Sequence, residues 1–159
     1  MQEICDIYLI EKLSGSSKLL QQLRIFDPTI AFDENQLYLG FLGLNLKRLT
    51  NVAILMNFKS NGIRCFNIPV RYRSALISQD EARIYAEIYM DSVGGTVICH
   101  RTRPGVSNPM FWYFLVHDPR ENSVEPREGG GNLTVDSFDG HIWTCDEAAE
   151  YHYDYNNSI

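Results

Sequence analysis

Apolar residues cluster, break and then switch to a helical period along this chain, and each change marks an element. Ile4 to Ile10 is short, apolar and partly β-branched and predicts a strand, which Ser14-Gly15-Ser16-Ser17 breaks. Lys18 to Leu23 predicts a short helix capped by Ser16 or Ser17, with Leu19, Leu20 and Leu23 on one side, before Asp27-Pro28 turns the chain. Gln36 to Leu46 carries large apolar groups around Gly40 and Gly43 and predicts a strand with a bulge or bend. Asn51 to Lys59 and Ile63 to Tyr72 flank Ser60-Asn61-Gly62, whose Asn-Gly pair supplies the positive φ values of a tight hairpin. Pro69 removes a backbone donor from the second arm, which favours an edge position or a bulge there.

At Ser78 the period becomes helical. Ser78-Gln79-Asp80-Glu81 forms a capping box, with the Ser hydroxyl accepting from the Glu81 N–H and the Glu81 carboxylate reaching back. Asp80 and Glu81 also suit the positive end of the helix dipole. Ala82, Tyr85, Ala86, Tyr89 and Val93 recur at helical spacing, and Gly94-Gly95 offers a left-handed cap, so a helix is predicted over 79–93. Thr96 to Arg103 and Phe111 to His117 predict strands, broken by Pro104-Gly105 and Asp118-Pro119. Residues 120 to 131 are polar and end in three glycines, which predicts a long loop. Asn132 to Ser137 and His141 to Cys145 predict a hairpin around Asp139-Gly140, and Asp146 can cap a last short helix, Glu147 to Tyr153.

At 159 residues the chain fits a single domain, and 45% hydrophobic with 21% charged residues is ordinary for a globular protein. The expected fold class is α+β: an antiparallel, in part mixed, sheet with one principal helix packed on a face. Residues 1–77 form its β-rich part and 78–159 its helix-plus-sheet part, ending in an acidic segment. The start of the chain, with Glu3 and Asp6 and no basic stretch before a long apolar run, does not read as a signal peptide. No window approaches the roughly 20 apolar residues of a membrane span, so no membrane partner is expected and the default location is cytoplasmic. Cysteines 5, 65, 99 and 145 lie far apart in apolar or strand-like runs, which favours small buried side chains over zinc or redox pairs.

Charge is unevenly placed. Residues 120 to 159 hold Glu121, Glu125, Glu128, Asp136, Asp139, Asp146, Glu147, Glu150 and Asp154 against Arg120 and Arg127, a balance of −7 within a net charge of −6. Direct nucleic-acid binding by this third is disfavoured, because phosphate contacts need clustered Lys and Arg. A basic protein partner fits better, since opposite fields speed encounter, although a plain solvated face remains the alternative. Tyr151, Tyr153 and Tyr155 interleave with the acids after Cys145, and tyrosine gives large contact area at little rotamer cost. Tyr151 and Tyr155, four apart, are expected on the packed face, with Glu147, Glu150 and Asp154 outward.

Catalytic signatures are weak. His100, His117, His141 and His152 have no G-x-S-x-G partner, Cys99 and His100 point to opposite faces of a strand, and His141 and Cys145 on one strand would be too distant to bond. No H-x-x-x-H spacing suggests a metal, and no metal or cofactor is expected. Gly129-Gly130-Gly131 opens a strand and lacks the lysine of a phosphate loop.

Three features combine into a resemblance. Ser78, Glu81, Ala82 and Ala86 fit a capped helix of the form S-x-x-E-A-x-x-x-A; Phe111-Trp112-Tyr113-Phe114 forms an aromatic strand; Val135, Asp136, Gly140, Ile142 and Trp143 fit V-D-x-x-x-G-x-I-W. In this order they resemble the small cystatin-like immunity proteins of bacterial polymorphic toxin and contact-dependent inhibition systems, over roughly 70 residues of the C-terminal half. The N-terminal 77 residues depart from that pattern. The resemblance implies a cytoplasmic, non-enzymatic protein that neutralises a cognate toxin, typically a basic nuclease, by stoichiometric binding. The residues expected to meet the toxin are Glu121, Glu125, Glu128, Asp139, Asp146, Glu147, Glu150, Tyr153 and Asp154. Two other classes stay open: a small hydrolase using His117 or His141 with a nearby acid, and a secretion chaperone for an effector.

Overall fold

The protein is described by a computed structural model covering residues 3–74, 76–101, 108–120 and 131–157. It is an α+β chain whose described residues form two antiparallel sheets, where the sequence suggested one, and four α-helices. Two compact units divide it: Met1–Arg73 with Ala149–Ile159, and Ser74–Ala148.

The first unit is built on β1 (Ile4–Ser14). Cys5, Ile7 and Leu9 are buried at period two, which makes this stretch a strand with a core-facing side. β1 pairs antiparallel with β2 (Leu37–Phe41), β3 (Leu46–Lys47) and β4 (Cys65–Pro69). The expected single strand from Gln36 to Leu46 is thus two, separated by residues 42–45, with Gly40 and Gly43 at positive φ. A short α1 (Lys18–Gln21) follows β1, and the Ser17 hydroxyl accepts from the Leu19 N–H at 3.3 Å. Asp6 is fully buried yet satisfied: its carboxylate accepts from the N–H groups of Gly43 at 3.0 Å and Leu44 at 2.8 Å, and from Arg73 at 2.9 Å.

The hairpin expected at Asn51–Lys59 and Ile63–Tyr72 is not formed. Its first arm is α2 (Arg48–Ser60), and only β4 comes from the second. Asn51, Ile54, Leu55 and Phe58 are buried at spacings of three and four, a helical stripe that overrides the apparent strand. The Asn-Gly pair serves as a helix end instead. Gly62, at φ +78, donates to the Lys59 carbonyl at 3.0 Å, and Ile63 donates to the Phe58 carbonyl at 3.0 Å, the two bonds of a Schellman cap. A positive φ suits both motifs, so the dipeptide alone could not separate them.

α4 (Cys145–Asn156) begins earlier than its expected start. Thr144, not Asp146, supplies the cap: its hydroxyl accepts from the Glu147 N–H at 3.1 Å. The division between the units falls within this helix. In the first unit its last turns lie along β4. Tyr151 Oη donates to the Asn67 carbonyl at 2.9 Å, while the Asn67 N–H donates to Asn156 Oδ1 at 3.0 Å, so two side chains stand where a neighbouring strand would pair. Lys59 Nζ holds the Asn156 carbonyl at 3.2 Å, and the Arg48 guanidinium holds that of Asp154.

The second unit consists of α3 (Gln79–Ser92) packed on a sheet of order β5-β6-β7, with β5 Thr96–His100, β6 Phe111–His117 and β7 Gly131–Asp136. Ser78 accepts from the Glu81 N–H at 3.1 Å, as the capping motif requires. Ala82, Ala86 and Met90 are the buried face of α3, against Phe114 and Val116 of β6 and Leu133 and Val135 of β7. Tyr85, expected on that face, is 45% exposed. Gly95, just before β5, is selected by a close approach: a Cβ there would lie 2.4 Å from the His117 carbonyl oxygen. The expected hairpin after β7 is reduced to a single bridge between Val135 and Ile142, because Cys145 already belongs to α4.

Candidate functional site

The turn after β7 builds a polar and aromatic cluster from a few consecutive residues. Asp136 is buried at its start. One of its carboxylate oxygens accepts from the N–H of Phe138 at 2.7 Å, an Asx-type turn, and the other accepts from Trp143 Nε1 at 2.8 Å. Gly140 then takes φ +79 directly under Tyr85, where a Cβ would come within 2.6 Å of the ring carbons. Conformation and contact both demand glycine there.

The reversal delivers His141 between two carboxylates. Asp139 Oδ1 accepts from the His141 backbone N–H at 3.0 Å and lies 2.7 Å from Nδ1. On the other side of the ring, Nε2 lies 3.1 Å from Glu147 Oε2, in the first turn of α4. The ring also stacks on Trp143, with centroids 5.6 Å apart and planes 16° from parallel. Partial burial would lower the His141 imidazole, but the hydrogen bond and charge of Asp139, the charge of Asp136 and the hydrogen bond to Glu147 outweigh it and hold the group above its ordinary value. Asp139 moves the other way: burial would raise it, and the His141 contacts hold it below the usual carboxylate range.

Carboxylate and imidazole atoms of Asp136, Asp139 and His141 all lie within 4.8 Å of one another and could offer three ligands to a cation. Those atoms are already committed to N–H donors and to one another, so the arrangement reads first as a clasp between the turn and α4. Engagement of both ring nitrogens by carboxylates favours the imidazolium, which has no lone pair to act as a general base. His117, the other proposed base, is exposed at the end of β6. The His100 ring packs edge-on to Trp112 and Phe114, at 5.5 and 5.7 Å. Burial pushes the Cys5 and Cys65 thiols up to about 12, far from reactive thiolates, whereas Cys99 and Cys145 are exposed.

Of the residues the sequence singled out, the fold joins Asp139 and Glu147 through His141. Glu147 is therefore half-buried and tied down, not simply outward as expected. Asp146 is exposed beside it. In the first unit, Glu150, Tyr153 and Asp154 are exposed on α4, Tyr153 by 63%, while Tyr151 is buried and Tyr155 half-buried, as their spacing suggested. Glu121, Glu125 and Glu128 lie outside the described residues. The sequence reading missed Phe138 and Tyr85, which leave 40% and 45% of their surface open at the same turn. The pattern Asp136-x-x-Asp139-Gly140-His141 was the available signal, since an Asx-turn with Gly fixes both acid and histidine.

Among the described residues no helix is long and apolar enough to cross a membrane. Comparison with protein-family models, with curated proteins and with solved structures finds no match to this chain.

Proposed function

We propose that this chain is an immunity protein, acting by stoichiometric binding to a basic toxin domain of the nuclease class. The observation that carries the reading is the clasped turn of the second unit. It presents Asp139, Asp146 and Glu147 beside the part-exposed rings of Phe138 and Tyr85, on a backbone fixed by Asp136, Gly140 and His141. A rigid acidic surface with aromatic area is what a Lys- or Arg-rich partner surface needs. Charge sets encounter rate and register, and the rings supply the anchors. The resemblance of Ser78 to Cys145 to cystatin-like immunity proteins supports the same reading. The toxin's identity and a cytoplasmic site of action belong to this proposal.

The test is co-expression with the product of the neighbouring gene. A complex should co-purify and weaken with salt, and Asp139→Lys with Asp146→Lys should slow association about tenfold or more while leaving dissociation nearly unchanged. Lack of binding to that product, or detectable substrate turnover by the isolated chain, would count against the reading.

A further inference from the structure

The two edges of the second sheet are treated differently. β7 has its outer side occupied by the returning chain: the Asp136 backbone N–H donates to the His141 carbonyl at 2.8 Å and the Trp143 backbone N–H to that of Thr134 at 2.9 Å. β5, on the opposite edge, pairs with β6 alone, and among the described residues no backbone hydrogen bond reaches its other side. Alongside it runs an open groove of about 420 Å³, with Glu87, Ile88 and Asp91 of α3 on one wall and Gly95, Thr96 and Val97 on the other. Ile88 is 65% exposed and Ile98 51% exposed. A register shift between Val97 and Cys99 makes Ile98 a bulged residue, a device that re-aims a side chain at a sheet edge.

We propose that this groove takes an extended, basic segment of a partner polypeptide as an added strand on β5. The unused backbone groups supply the ladder, since an edge strand offers a row of donors and acceptors to any chain of matching direction. Ile88 and Ile98 receive apolar side chains of the segment. Glu87 and Asp91 determine its charge. Glu87 shares its carboxylate with Arg83 at 2.9 Å, and among the described residues Asp91 has no ion pair and no Lys or Arg lines the groove. A cationic side chain is therefore the complement, and an acidic one would be repelled. β2 is another edge without a second partner strand among the described residues, with Leu37 and Leu39 exposed, but Gly40 at φ +75 interrupts it. The β5 groove lies across the sheet from the clasped turn, and its occupancy is independent of what binds there.

Selection of displayed random peptides on the full chain is the direct experiment. Winning sequences should alternate β-branched with other residues and carry Lys or Arg, and titration of a winning synthetic peptide should move backbone amide resonances of Thr96 to His100. Methylating one inward-facing peptide amide should weaken binding about tenfold, the loss of one net ladder hydrogen bond. Glu87→Lys with Asp91→Lys, both on the exposed face of α3, should weaken it similarly while the amide spectrum elsewhere stays folded. Selection of no binder, winners without basic residues, a footprint outside the groove, or tolerance of backbone methylation would each overturn the proposal. So would concentration-dependent self-association through β5, which would make a second copy the occupant.

Discussion

β4 and β5 are both strands at the edge of an antiparallel sheet, yet the chain treats them oppositely. Along β4, Tyr151 and Asn156 of α4 satisfy the carbonyl and N–H of Asn67, so the strand has no free template there. Along β5 no described residue does the same, and an open groove lined by Glu87, Ile88 and Asp91 takes the place of the covering helix. An exposed strand edge invites unwanted pairing, so its retention beside an acidic groove is more readily understood as use than as neglect. The contrast also separates residues that hold the fold from residues left open at the surface.

Breaking the covered edge should have the largest effect. Tyr151→Ala removes a buried ring, only 3% exposed, together with the bond to Asn67, and should cost about 3–5 kcal/mol in denaturant unfolding. Asn156→Ala leaves the buried Asn67 N–H without its acceptor and should cost about 1–3 kcal/mol, measured in the same way. Hydrogen exchange sharpens the comparison. The Asn67 amide should exchange near the rate of global opening of its unit, the outward amides of β5 far faster, and Asn156→Ala should move the first toward the second. By contrast Ile98→Lys, at the open edge, should change stability by no more than about 0.5 kcal/mol.

An effect of similar small size, but dependent on pH, belongs to the third edge, where His141 clasps the return of β7. Its imidazole is raised above the ordinary 6.5, so the protonated form is favoured by folding. Its contribution is fully present below that value and is lost as pH climbs through the raised one. Asp139 is lowered from 3.8, so its share is present above that value and lost at more acid pH. The clasp is thus strongest between these limits. Because the groups are substantially exposed, removing it with His141→Gln should cost only about 0.5 kcal/mol at pH 6 and less at pH 9, read from paired unfolding curves.

Local motifs were legible where one residue type has one use. Ser78 with Glu81 announced the start of α3, and the dense aromatic run Phe111 to His117 announced β6. Asn61-Gly62 was legible only as a chain reversal needing positive φ; whether it joined two strands or ended a helix depended on whether Ile54, Leu55 and Phe58 had a core to face. At the candidate site, the acids and tyrosines could be named in advance, but the bracketing of His141 could not. It requires α4 to begin at Cys145 and bring Glu147 back to the turn. Tyr85 was misplaced for a related reason: helical spacing gives a stripe, and only the sheet beneath decides its centre, here Ala82, Ala86 and Met90.

By itself the sequence determined the α+β class, the capped helix, the aromatic strand and the acidic C-terminal third, because periodicity, capping and charge are local properties of neighbouring residues. Tertiary structure decided that there are two sheets, that α2 is a helix, and which edges are covered. Those outcomes depend on hydrogen-bond partners far apart in sequence, such as Asn67 with Asn156, whose meeting no local pattern encodes.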